Sequence, residues 1–253
     1  MRMSGTTKKS DGRGRLGSTL SGLAVAVGCL LFLGGFAGGA LLYQPYTVPT
    51  GSMTPTLAIG SKVLAQRIDG DEVRRGDVVV FKDPLWGNSP MLKRVVAVGG
   101  DTVACCDDDG HLTVNGTPVE EPYLRPGPGG SLRASGEDFT ATVPADSLFL
   151  LGDDRTASLD SRTHLEDAAQ GSVPRSTVVA RVDTVVWPLS GGTVERPAAF
   201  AALPGGTSTP GPAVPLMTAI AAGAALILAG AAYGPLSTRL TRRTKPAREK
   251  VKA

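Results

Sequence analysis

Ser52, Lys93 and a dense set of polar residues between 153 and 162 are the parts of this 253-residue sequence best suited to chemistry. No HExxH, GxSxG or GxxxxGK[ST] pattern is present, so the common zinc, nucleophile-elbow and phosphate-loop sites are excluded. Only two histidines occur, His111 and His164, and neither sits in a pattern that marks a catalytic triad. A serine nucleophile would therefore need another base. A lysine can serve when it is neutral: its ordinary pKa is about 10.4, and burial lowers it by up to several units. Outside the terminal tails the lysines are Lys62, Lys82 and Lys93, and of these Lys93 has the apolar surroundings, in "PMLKRVVAVGGD". On a strand, adjacent Arg94 points to the opposite face. Taken alone, a strand lysine is a solvated edge residue, so its companions decide.

Those companions are two turns. "VPTGSMTPTL", residues 48–57, places Ser52 directly after Gly51, among prolines and threonines. It reads either as a Pro/Gly connector or as a stiff turn carrying a nucleophile. "LFLLGDDRTASLDSR", residues 148–162, runs an apolar strand into Asp153, Asp154, Arg155, Ser158, Asp160, Ser161 and Arg162. So many polar groups at one strand end read as a solvated loop or as a hydrogen-bonded scaffold around a site.

In their order and spacing, "VPTGSMTPTL", "LKRVVAVGGD" and "LLGDDRTASLDSR" together resemble the bacterial type I signal peptidases, Ser/Lys enzymes of peptidase family S26, over about residues 43–188. The resemblance implies a membrane-bound serine endopeptidase that removes signal peptides from translocated preproteins after small residues of the A-x-A kind, without a cofactor or metal. It assigns Ser52 as nucleophile and Lys93 as general base; the eukaryotic and archaeal relatives carry His at the base position. It assigns Thr50 Oγ1 and the Ser52 N–H to the oxyanion hole and Ser158 to orienting the amine. Asp160 and Arg162 match an ion pair behind the site, and Asp153 and Arg155 match the family's turn. Segments 44–50 and 90–93 would line the substrate groove, through Tyr46, Val48, Pro49, Met91 and Leu92. Two features depart from the pattern: Asp154 stands where Asn is usual, and "THLEDAAQG" replaces the usual aromatic and Gly residues after "DSR".

The elements that must position these residues are legible in outline. Residues 16–43 contain no charge and are long enough for a membrane helix, which needs roughly 20 residues. They exceed the 7–15-residue apolar core of a cleaved signal peptide, which favours an anchor. Residues 213–236 form a second uncharged stretch, rich in Ala and Gly. Residues 1–15 carry five basic residues against Asp11, and 237–253 carry seven against Glu249, leaving 14 basic and 21 acidic residues between. The positive-inside rule then puts both tails in the cytoplasm and the middle outside. Basic tails also suit nucleic acid, but each directly flanks a span and lacks interleaved aromatics, so no nucleic-acid partner is expected. The expected partners are signal peptides, membrane lipid and the translocation machinery.

Segments such as "KVLAQRI", "DVVVFKD" and "TVVARVDTVVW" are short and β-branched, bounded by Gly, Asp, Asn or Pro. They predict a mainly antiparallel β domain over 44–189, with an inserted β subdomain at 103–143 that holds a "VNG" hairpin signal. Residues 190–212, rich in Pro, Gly, Ser and Thr, read as a flexible tether. Cys105 and Cys106 read as two unrelated half-buried thiols or as a vicinal disulfide, and Cys29 as an apolar span residue. Two other function classes fit parts of the pattern. A self-cleaving Ser/Lys regulator would be cytosolic with a DNA-binding segment, and a silent secretion scaffold need not keep Ser52, Lys93, Ser158, Asp160 and Arg162 together.

Overall fold

A computed structural model describes residues 12–126, 130, 133–189 and 191–243. The tail residues 1–11 and 244–253, which carry much of the expected terminal charge, lie outside the described residues. The chain divides into a helical unit, formed by residues up to Leu41 and from Val214 onward, and a β unit, Leu42–Ala213.

In the β unit, strands β1 (Tyr43–Thr47), β2 (Lys62–Gln66), β3 (Val78–Asp83), β4 (Gly87–Val98), β9 (Ser147–Leu151), β10 (Val173–Pro174) and β11 (Val178–Trp187) form one sheet. Their order is β1-β2-β11-β3-β4-β9-β10, and β12 (Gly192–Thr193) pairs with β11. A second sheet, ordered β7-β6-β5-β8, is inserted between β4 and β9. It comprises β5 (Thr102–Cys105), β6 (Leu112–Val114), β7 (Thr117–Val119) and β8 (Phe139–Thr142). All pairings are antiparallel. Alternation gives β2 a single buried face, whereas the unbroken apolar runs of β3 and β9 are buried on both. Asn115 and Gly116 both take positive φ in the two-residue turn between β6 and β7, the backbone that an Asn-Gly hairpin requires. Cys105 is the last residue of β5 to pair, and it is joined to Cys106 in a vicinal disulfide rather than left as one of two unrelated thiols.

The stretch expected as a flexible tether is instead packed against the β unit over most of its length. Phe200, in the short helix α2 (Ala198–Ala201), is fully buried among Val96, Ala97 and Val103. Arg196 donates to Asp77 and Asp183, each at 3.0 Å, and Gly211 N–H donates to Asp183. One aromatic and one arginine thus outweigh a composition that otherwise resembles a linker.

The helical unit contains α1 (Gly12–Leu42) and α3 (Ala213–Arg243). Within them, 17–42 and 213–233 are long and apolar enough to cross a membrane. Small residues bring the two helices together: Gly28 and Gly223 face each other's carbonyls, and Ser21 Oγ donates to Gly230 O at 2.7 Å.

Candidate active site

The Ser52 turn is fixed by its base. Val48 N–H donates to Ser61 O and Gly60 N–H to Val48 O, both at 2.9 Å, so the loop from 48 to 61 is closed. Met53 and Leu57 sink into the core beside Val48. Ser52 is left half-exposed in the single 3₁₀ turn Gly51–Met53, whose leading N–H groups have no acceptor within the turn. Thr50 Oγ1 lies 3.3 Å from Ser52 Oγ.

Lys93 lies on β4, opposite Val79 of β3. Strand β9 joins β4 only from Arg94 to Val98, which leaves that edge of residues 89–92 without a strand partner among the described residues. Ser52 and Lys93 line one pocket of about 190 Å³, with Val48, Pro49, Thr50, Met53, Met91 and Leu92 among its walls. Tyr46, expected in the groove, does not line this pocket; it is half-buried against the core cluster that contains Val48.

Lys93 is 5% exposed, whereas Lys62 and Lys82 are exposed. Burial pushes the Lys93 amine below the ordinary lysine range; Asp160 and Asp153 oppose the shift and Arg162 adds to it. No ion pair forms with Lys93 among the described residues, because the nearby carboxylates are already engaged. Asp160 accepts from Arg162 Nε and Nη2 at 2.9 and 2.8 Å and from Gly152 N–H at 2.9 Å. Burial alone would raise the Asp160 carboxyl, but the Arg162 guanidinium holds it below the usual carboxylate range.

Asp153 and Arg155 do not pair with each other. Asp153 takes two bonds from Arg94, at 2.9 and 2.7 Å, and one from Thr56 Oγ1 at 2.5 Å. Arg155 instead pairs with Glu121 of the inserted subdomain. The Asp154 side chain accepts from Thr156 and from Ala157 N–H, and its own N–H donates to Ser52 O at 3.0 Å. An acceptor oxygen is all that this turn asks of residue 154, which explains why Asp can stand where Asn is usual. Ser158 is brought to the site with its Oγ buried and facing the Asp160 carboxylate, whose pKa it helps to hold down, and it makes no hydrogen bond to the Lys93 amine. Between Ser158 and Ser52 lies Gly152, where a Cβ would fall 2.1 Å from Ser158 Oγ and 2.5 Å from Ser52 O.

Four residues of this framework escaped sequence reasoning. Thr56 carries no sequence signal beyond that of a turn residue. Arg94 was legible only as a cation facing away from Lys93, although a charge in an apolar strand demands a buried partner. Glu121 and Tyr123 carry no local signal at all. His164 stacks on Trp86 at 4.6 Å, and the histidine reads as packing. Asp107, Asp109 and His111 bring possible ligand atoms within 4.8 Å of one another, but Asp107 already accepts from the backbone N–H groups of Asp109 and His111 in its own turn.

The family model described as signal peptidase, peptidase S26, matches residues 20–187. The probable signal peptidase I of Mycobacterium leprae (strain TN) is 35% identical over 201 residues, covering 58% of this chain and 69% of that protein. The signal peptidase I of Bacillus caldolyticus is 34% identical over 193 residues, covering 72% of this chain and 95% of that one. The crystal structure of a signal peptidase I from Enterococcus faecalis V583 is similar at 28% identity and a TM-score of 0.35, covering 43% of this chain and 94% of that one. With most of its β unit inside the matched region, the chain belongs to the signal peptidase family, peptidase S26, and is a serine peptidase.

Proposed function

We propose that this membrane-anchored signal peptidase cleaves its precursors with Ser52 as nucleophile and Lys93 as general base. The observation that carries this reading is the pocket that Ser52 shares with a buried lysine whose amine has no carboxylate partner among the described residues. Ser52 Oγ attacks the scissile carbonyl as its proton passes to the neutral Lys93 amine. The resulting ammonium returns that proton to the departing amine, leaving an ester on Ser52. Water then attacks the ester as Lys93 accepts its proton, and the ammonium passes that proton to Ser52 Oγ as the ester bond breaks and the acid product departs. Thr50 Oγ1 and the Ser52 N–H stabilise the developing oxyanion.

The pocket supports specificity for small residues: its walls are Val48, Met53, Met91 and Leu92, and its volume of about 190 Å³ is modest. An extended precursor segment can pair with the free edge of residues 89–92, placing alternate side chains in such a pocket. Both termini lie in the cytoplasm and the β unit outside, as the tail charges favour, with lipid and the translocation machinery as neighbours. Anchoring raises the effective concentration of enzyme and membrane-held precursor for each other. The test is cleavage of a purified precursor by the full chain in detergent or liposomes. Ser52→Ala and Lys93→Ala should each abolish turnover while the protein stays folded; full activity in either variant would end the assignment.

A further inference from the structure

We propose that Glu121 and Tyr123, from the inserted subdomain, are positioning residues of the catalytic site. The proposal rests on the Ser52/Lys93 reading and adds to it the part of the chain that holds the dyad's surroundings in place.

Besides Arg162, which Asp160 satisfies, two arginines lie behind the site, Arg94 on β4 and Arg155 in the turn after β9, and both are less than a tenth exposed. Asp153 answers Arg94 with two bonds. Arg155 would be left as an uncompensated buried cation if the large sheet and its turns stood alone. The missing carboxylate comes from the loop after β7. Glu121 Oε2 accepts from Arg155 Nη1 at 2.8 Å, and Oε1 accepts from Arg155 Nη2 and from the Tyr123 hydroxyl. The Tyr123 ring lies under the other arginine, 4.1 Å from Arg94 Cζ, and its hydroxyl oxygen also accepts from Arg155 Nη2 at 3.4 Å. One short loop therefore touches both cations.

The contact reaches the dyad through backbone. Arg155 Nε donates to Gly152 O at 3.1 Å. Gly152 is packed so closely between Ser52 O and Ser158 Oγ that not even a methyl group fits, and Asp154 N–H bonds Ser52 O. A shift of Arg155 must then move the 152–154 turn, and with it the nucleophile's own carbonyl. Arg94 is the neighbour of Lys93 on β4, so a shift there moves the base.

The test uses the purified full chain and a precursor peptide, read below the melting temperature of every variant. Glu121→Gln keeps the shape and removes the charge. It is expected to lower kcat about tenfold or more, as misplacement by a fraction of an ångström does, with KM within twofold. In an Arg155→Gln background the same change should alter kcat less than twofold, because Glu121 acts through Arg155. A Glu121→Gln protein that loses thermal stability but keeps kcat within twofold overturns the proposal, and so do kcat losses that simply multiply. Should Glu121→Gln fail to fold, Tyr123→Phe decides: it keeps the ring on Arg94 and removes the hydroxyl from Glu121, and an unchanged kcat would overturn the proposal. Ser52→Ala is measured alongside. If it is active, the dyad reading fails; if it is inactive while Glu121→Gln is normal, only the positioning role fails.

Discussion

Replacing Gly152 with alanine adds one methyl group at the most crowded point of the site. Its Cβ would lie 2.1 Å from Ser158 Oγ, 2.4 Å from Ser158 Cβ and 2.5 Å from Ser52 O. Carbon contacts are comfortable near about 3.5 Å, so the neighbours must together retreat by about 1 Å on each side. The Gly152 φ is not in the left-handed region, so the demand is for space and not for a special backbone. Overpacking of this kind costs about 1–3 kcal/mol of stability. The effect on rate should be larger, because an error of about 1 Å in a reacting group can cost about 10²-fold. The expected outcome is therefore a fall of about 100-fold in kcat/KM for precursor cleavage, carried mostly by kcat, in a protein that still melts cooperatively. Gly136→Ala is the control, since a Cβ there meets nothing within 4 Å. The assay is cleavage by purified full chain in detergent at a temperature where both variants are folded. A Gly152→Ala enzyme within threefold of wild type would refute the claim that the space between Ser52 and Ser158 sets the geometry of attack.

Other changes have equally definite signs. Because burial depresses the Lys93 amine, kcat/KM should rise with pH through a limb centred below about 10.4, and that limb should survive in the double variant His111→Gln, His164→Gln. Between the folded pKa of Lys93 and its unfolded value the unfolded chain holds more protons, so stability rises with pH across that window. Lys93→Met should accordingly raise Tm, most below the folded pKa and progressively less as pH approaches about 10.4; a pH-independent difference would contradict the buried-amine assignment. Phe200→Ala should cost about 3–5 kcal/mol in urea unfolding, because this fully buried ring is an anchor of the 191–213 segment; a loss below about 1 kcal/mol would mean that the segment is a tether after all. Asp154→Asn keeps an acceptor oxygen for Thr156 and Ala157, so stability should change by no more than about 0.5 kcal/mol and kcat by less than twofold. A tenfold loss of kcat there would show that the negative charge itself is used.

The parts of the fold and site that were legible in the sequence are those governed by local rules. Strand alternation and unbroken apolar runs marked β2, β3 and β9, and Asn115-Gly116 marked a hairpin whose backbone needs positive φ twice. The apolar flanks of Lys93 set it apart from Lys62 and Lys82, and it is the one of the three that is buried. What stayed hidden depends on partners far along the chain. Arg196 finds Asp77 across 119 residues, and Arg155 finds Glu121 across 34, so neither bond has a sequence period to betray it. The 191–213 segment misleads for a related reason: composition averages over Pro, Gly and Ser, whereas its packing turns on a few residues, Phe200 and Arg196 foremost.

The arginines also explain why a buried lysine among so many acids is not drawn into an ion pair among the described residues. A carboxylate free to pair with Lys93 would favour the ammonium and remove the base. In this unit the carboxylates around the site are committed elsewhere: Asp160 to Arg162, Asp153 to Arg94, and Glu121 to Arg155. Lys93 is left buried without an ion-pair partner among the described residues, and its burial pushes the amine below the ordinary lysine range. Strand geometry makes this division possible. Adjacent residues of β4 face opposite ways, so Arg94 can satisfy Asp153 on one side while Lys93 turns to the Ser52 pocket on the other.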